Sequence, residues 1–192
     1  MLVAISGSQS AGKSTVINRL ADLGYNTIQR KSSRSILSDW NVTLQEVNNN
    51  PDLTIQFQEE IISRKHQDEL EAVRSDVLWF GERSFADLFT YSLVALGQDN
   101  RYSEWLNRYY QSCMFYQQSY IHVYYLKAGY FNVVKDGVRG DNKHYSRMVD
   151  LAMLDYTQQM TMNRNIDVIQ TPDIDERVSI ISIQQKYNKG VY

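Results

Sequence analysis

The 192-residue sequence holds one cysteine, Cys113, two prolines and nine glycines. A lone cysteine excludes an intrachain disulfide and any multi-cysteine metal site. The scarcity of proline and glycine, with 43% hydrophobic and 22% charged residues, excludes a fibrous or disordered chain. No apolar run approaches the roughly 18 residues that cross a bilayer, so no membrane partner is expected. A formal charge of −2 gives no overall pull toward nucleic acid or anionic lipid. His66, His122 and His144 are far from one another and form no metal-ligand motif with carboxylates, so none is assigned to metal binding or proton transfer. There is no internal repeat or low-complexity segment, and a chain of this length is expected to form one domain, 1–192, around one core. The first apolar run starts at residue 2, which leaves no room for a signal peptide and leads us to expect a cytoplasmic protein.

What the chain does have is a phosphate-binding pattern. Leu2-Val3-Ala4-Ile5 reads as a buried strand, and Gly7-Ser8-Gln9-Ser10-Ala11-Gly12-Lys13-Ser14 fits G-x-x-x-x-G-K-[ST]. In such a loop the two glycines let backbone N–H groups face a β-phosphate, and the lysine reaches the β/γ-oxygens. The segment Gly7 to Thr15 is therefore the expected cradle for ATP or GTP, with the Ser14 hydroxyl directed at Mg²⁺.

Strands and helices alternate along the remainder. Val16, Ile17, Leu20 and Ala21 keep helical spacing, and Gly24 stands where a left-handed cap would end that helix. Tyr25 to Gln29 reads as a strand opening into the basic stretch Arg30-Lys31-Ser32-Ser33-Arg34. Thr43 and Glu46 have capping-box spacing, and Asn50-Pro51-Asp52 precedes a long helix over 53–73 with Phe57, Ile61, Ile62, Leu70 and Val73 as its buried stripe. Residues 76–80, Asp76 followed by the apolar run Val77-Leu78-Trp79-Phe80, are expected to be a central strand, and Glu82-Arg83-Ser84 follows it. Helices are expected over 85–96, 101–118 and 145–162, strands over 120–126 and 166–170, and a last helix from Thr171-Pro172-Asp173 to about residue 185. Residues 128–143 lack periodicity and read as a mobile loop. Between 102 and 131 stand eight tyrosines, two phenylalanines and Trp105, at spacings that suit a packed core. This alternation predicts an α/β fold, a parallel sheet with helices on both faces.

A P-loop does not separate switches, motors and kinases. The two Asn-Lys pairs, Asn142-Lys143 and Asn188-Lys189, lack the aspartate of a guanine reader, which argues against a GTPase switch. A motor ATPase usually ends its third strand in adjacent carboxylates, whereas this strand ends Gly81-Glu82-Arg83-Ser84. With Phe57-Gln58, Asp87, Tyr91, Asp136-Gly137-Val138-Arg139, Thr171-Pro172-Asp173 and Glu176-Arg177, these residues resemble the P-loop small-molecule kinases: thymidylate kinase, deoxyribonucleoside kinases and the nicotinamide-riboside kinase domain. The small, often phage-encoded deoxynucleoside monophosphate kinases resemble it most. That resemblance implies a three-layer fold, a five-stranded parallel sheet of order 2-3-1-4-5, a lid over about 128–147 bearing arginines, and an acceptor site beneath strands two and three. It also implies base contacts from Phe57 and Tyr91, and it makes a homodimer a possible assembly.

On these grounds the expected catalytic set is Lys13, Glu82, Arg83, Arg139 and Arg147, with Ser14 and Glu82 toward Mg²⁺. Arg139 and Arg147 would close on the γ-phosphate, and Lys143 is a weaker candidate. Many nucleoside kinases carry a carboxylate at the end of the second strand to take a proton from the attacking hydroxyl. This chain has Gln29 there, followed by cations. A phosphate acceptor has no proton to lose but needs fixed positive partners, so Arg30, Arg34 and Arg83 are expected to clamp a nucleoside monophosphate. The alternatives are a hydroxyl acceptor (a nucleoside, nicotinamide riboside or a hydroxymethylated base in DNA), with Glu82 or Asp87 as base, and an ATP-binding regulatory protein with little turnover.

Overall fold

The structure, a computed structural model, describes residues 1–29, 32–131, 142–162 and 165–189. Arg30, Lys31 and Arg139, and most of the expected lid, lie outside the described residues. Five parallel strands, β1 (Leu2–Ser6), β2 (Asn26–Ile28), β3 (Trp79–Glu82), β4 (Tyr120–Leu126) and β5 (Ile166–Ile169), form one sheet in the order β2-β3-β1-β4-β5. The helices are α1 (Lys13–Asp22), α2 (Ser32–Trp40), α3 (Leu44–Asn49), α4 (Pro51–Arg74), α5 (Phe85–Leu96), α6 (Ser103–Gln117), α7 (Lys143–Met160) and α8 (Ile174–Lys189).

The two faces of β1 bury different cores, as the two-residue period of a strand requires. Leu2 and Ala4 pack with Phe57, Ile61, Phe85, Leu88 and Val123 against α4, α5 and α6. Val3 and Ile5 pack with Val16, Ile17, Leu20, Phe80 and Ile181 against α1 and α8. Helices thus cover both sides of the sheet. Most of the aromatics of 102–131 join these cores, Trp105, Tyr109, Tyr120, Tyr124 and Tyr125 all being buried. Phe115 on α6 and Tyr130 after β4 are the exposed ones, at 74% and 42%.

Local chemistry sets the helix ends. Thr43 and Glu46 form the capping box expected of them. The Asn50 side chain accepts from the amides of Asp52 and Leu53, with Pro51 at the first helical position. Asp173 does the same for Asp175 and Glu176, which delays α8 to Ile174 rather than Thr171. Gly24 is left-handed, at φ +84°, as the end of α1 required.

Two expectations are corrected. The third strand is not 76–80 but Trp79–Glu82, because pairing with β1 runs from Leu2 opposite Trp79 to Ile5 opposite Glu82 and leaves Val77 exposed before the sheet begins. The buried stripe of α4 does not run through Leu70 and Val73. It continues Phe57, Ile61, Lys65, Glu69 and Ala72, and Val73 is exposed. The true stripe steps by four from Phe57 to Glu69 and by three to Ala72, passing through two charged residues, which hydrophobicity alone does not reveal.

Candidate active site

The strand-to-helix turn after β1 is built as a phosphate cradle. Gly7 has φ +138° and Gly12 φ +82°, conformations that side chains rarely adopt, and a Cβ on Gly7 would stand 2.5 Å from the carbonyl oxygen of Leu126. Gly12 caps α1, whose first turn carries no acidic residue, so the positive end of the helix dipole opens into the loop. Lys13 is buried, and its Nζ donates to the carbonyls of Gly7 and Ser8 at 2.7 and 2.6 Å. Ser14 and Thr15 are exposed at the start of α1.

The neighbouring strand end meets this cradle. The Ser14 hydroxyl donates to Glu82 Oε1 at 2.7 Å, which brings the two expected metal-binding residues together. Arg83 follows in the left-handed region at φ +70°, and its guanidinium lies 5.2 Å from the centre of the Tyr91 ring on α5. Burial opposes the Arg83 charge, but Tyr91, Asp87 and Glu82 around it carry its pKa above the ordinary value. Asp87, in the first turn of α5, is fully buried and accepts from Ser6 and from Ser84, the latter at 2.8 Å. Its second oxygen has no hydrogen-bond partner among the described residues. On the other side, Ile28 pairs with Gly81, so Gln29 and Glu82 leave the sheet on adjacent strands, and the Gln29 amide donates to Asn18 at 2.7 Å.

Helix α7 is fastened to the cradle by contacts that the sequence did not suggest. Asp150 is buried and accepts from Ser8 at 3.1 Å, from the Tyr125 hydroxyl at 2.8 Å and from Lys127 Nζ at 2.8 Å. Gln9 donates to Ser146 at 3.3 Å. Arg147, one turn before Asp150, is exposed on this helix. Arg177 of α8 is fully buried and donates to the carbonyls of Ala11, Thr171 and Lys127, with the rings of Tyr130 and Phe131 at 5.7 and 5.3 Å from its guanidinium carbon. It belongs to the resemblance noted above, but its role as a tie between three loops emerges only in the fold.

Of the other expected residues, Arg34 is exposed on α2, and Phe57 is buried edge-on against Trp40 at 6.2 Å. Lys143 opens α7 and is exposed. Among the described residues no three His, Cys, Asp or Glu side chains gather to hold a metal, and no helix is long and apolar enough to cross a membrane.

A P-loop between β1 and α1, a parallel sheet of order 2-3-1-4-5 and helices on both faces define the P-loop kinase fold. An AAA domain family profile matches residues 2–177, and the chain belongs to that family. Among solved structures it is similar to deoxyadenosine kinase from M. mycoides with dCMP and a flexible dCDP bound, at a TM-score of 0.74 and 15% identity over 97% of this chain and 100% of that one. The same enzyme with dATP bound aligns at a TM-score of 0.71 and 16% identity, over 97% and 100% of the two chains. NadR in complex with NAD and AMP-PNP aligns at 0.70 and 10% identity over 94% of this chain, which spans 48% of NadR. A search of curated proteins by sequence finds no match.

Proposed function

We propose that this protein is a kinase that transfers the γ-phosphoryl group of ATP to a (deoxy)nucleoside monophosphate, yielding the diphosphate and ADP. The observation that carries the choice of acceptor is the end of β2. There Gln29 is an amide engaged with Asn18, whereas the adjacent strand end presents Arg83. An amide takes no proton from a hydroxyl, and a phosphate acceptor requires none to be taken. Its oxygen attacks the γ-phosphorus as the bond to the β-bridging oxygen breaks, and ADP leaves with that electron pair. Arg83, fixed over Tyr91, and Arg34 with Arg30 supply the cations that hold two phosphates at attack distance. Arg139 and Arg147 take the lid role.

Ser14 and Glu82 offer Mg²⁺ a hydroxyl and a carboxylate oxygen already 2.7 Å apart, a hard-oxygen pair suited to an ion that keeps several waters and phosphate ligands. Bound there, the ion would neutralise charge on the β- and γ-phosphates. Lys13, now on the loop carbonyls, exchanges them for phosphate oxygens.

A second reading, a hydroxyl acceptor, is favoured by one observation: the buried Asp87 carboxylate beside Arg83 keeps one oxygen without a partner among the described residues. The deoxyadenosine kinase and NadR likenesses lean the same way. The test is ADP release from Mg²⁺-ATP against ribo- and deoxynucleoside monophosphates, free nucleosides, nicotinamide riboside and DNA with hydroxymethylated bases. Turnover confined to monophosphates supports the proposal. Turnover confined to hydroxyl acceptors overturns the clamp, and ATP binding with no turnover overturns the kinase.

A further inference from the structure

The α4 face nearest the site carries a buried ion pair that neither nucleotide binding nor core packing explains. Lys65 and Glu69, one helical turn apart, are 5% and 2% exposed, and Lys65 Nζ lies 2.6 Å from Glu69 Oε1. The same ammonium donates to the backbone carbonyl of Arg83 at 2.9 Å and reaches that of Glu82 at 3.4 Å, which accounts for its three protons. The rings of Phe85 and Tyr120 stand 5.2 and 5.8 Å from it. Glu69 in turn accepts from the Tyr120 hydroxyl, at 3.0 Å to Oε2. Its other oxygen presses on the strand just before the site, where a Cβ on Gly81 would meet it at 2.9 Å.

A buried ion pair is weak evidence for stability, since apolar replacements of similar volume often stabilise a fold equally well. What this pair touches is more telling. Arg83 is a non-glycine residue in the left-handed region, and such a conformation persists only where its surroundings enforce it. Its amide donates to Ile5 at 2.9 Å, and its carbonyl accepts from Lys65. The peptide planes on both sides of its Cα are therefore pinned.

We propose that Lys65 and Glu69 are positioning residues that hold the Glu82-Arg83 turn left-handed, so that Glu82 meets Ser14 while Arg83 lies over Tyr91. The inference rests on the kinase reading for its consequence, but the geometry it describes is independent of any substrate. In the absence of the pair the turn relaxes toward ordinary backbone angles, and the carboxylate and guanidinium leave their places together. Misplacement of about an ångström at a transferring group lowers turnover by on the order of 10²-fold.

The decisive protein is the full chain carrying Lys65→Met, Glu69→Leu and Tyr120→Phe, which replaces the whole network with apolar groups and avoids stranding a single charge. Expected are a melting temperature near that of the wild type, ATP affinity measured without Mg²⁺ within about twofold, and kcat lower by on the order of 10²-fold. The second readout is the Arg83 Nε–H resonance in ¹⁵N spectra, assigned by its loss in Arg83→Lys and shifted by the Tyr91 ring. It should move to the position of exposed arginines in the triple variant. Gly81→Ala, which pushes only on the Glu69 carboxylate, should move the same resonance in the same direction. An unmoved resonance with kcat within about threefold of wild type refutes the proposal. If the wild type turns over none of the acceptors, the kinase reading fails while the resonance still decides the role of the pair.

Discussion

Replacing Arg177 with methionine is the sharpest test of how the phosphate loop is held. The guanidinium is fully buried, has no carboxylate within ion-pair distance among the described residues, and is solvated by three carbonyls and two aromatic faces. Burial draws its pKa below the ordinary arginine value. The bond to Ala11 lies in a closed environment where water does not replace it, so its loss costs about 2 kcal/mol, while the part-buried bonds to Thr171 and Lys127 cost about 1 kcal/mol each. The two ring contacts add about 1 kcal/mol together. Against this, methionine keeps the apolar packing and removes a buried charge, which returns about 2 kcal/mol. The net is about 3 kcal/mol, which for a chain of this size lowers the melting temperature by about 6–12 °C. Thermal unfolding followed by circular dichroism reads this directly. Titration with ATP should show weaker binding by about tenfold, since the freed Ala11 carbonyl lies inside the P-loop. A fall of less than about 2 °C with unchanged ATP affinity would show that the three loops hold their places without the tie.

Gly7→Ala should cost more than about 3 kcal/mol, because a side chain there collides with backbone at Leu126 in a backbone region that L residues avoid; wild-type thermal stability would refute this. Thr43→Ala should remove about 1 kcal/mol by opening the capping box, read from the denaturation midpoint. Burial pushes the Cys113 thiol well above its ordinary value, so the native protein should resist a thiol-specific disulfide reagent at pH 8 and react once unfolded; rapid labelling of the folded chain would contradict that burial. His122 is held below its ordinary pKa by burial, with Asp167 opposing. The unfolded chain therefore takes up the proton first as pH falls, and His122 makes stability decline through about pH 6.5. His122→Gln should flatten that decline in urea unfolding measured from pH 7.5 to 5.5.

The sequence displays what is periodic or glycine-dependent. Gly7, Gly12 and Lys13 declare the cradle, and the alternation of apolar strands with helices declares the layered sheet, whose strand order followed from family resemblance. Glu82 and Ser14 were read as metal-binding residues from their separate positions, and the fold brings them within hydrogen-bond distance. What was hidden has a common cause. Lys65 and Glu69 look like an exposed helical pair, because i, i+4 charges usually are. Their burial depends on Tyr120 and Gly81, which belong to other elements. Asp150 likewise gains meaning only when Ser8, Tyr125 and Lys127 converge on it across more than twenty residues of chain. The end of β3 was misplaced for a similar reason, its register being set by β1 rather than by its own composition.

The order of the sheet also divides the molecule by mechanical security. The phosphate loop hangs from β1, the central and wholly buried strand, with a partner on each side. The flank proposed here to take the acceptor hangs from β2, a three-residue edge strand with no fully buried residue, bonded on one side only. Opening free energies rise from frayed edges toward the core, so β2 opens at a lower cost than β1 and can do so while the cradle stays in place. If the proposed acceptor flank is right, a scaffold arranged in this way keeps its grip on the nucleotide phosphates while the edge beside the second substrate is free to drift, and acceptor preference becomes the property that such a chain changes most cheaply.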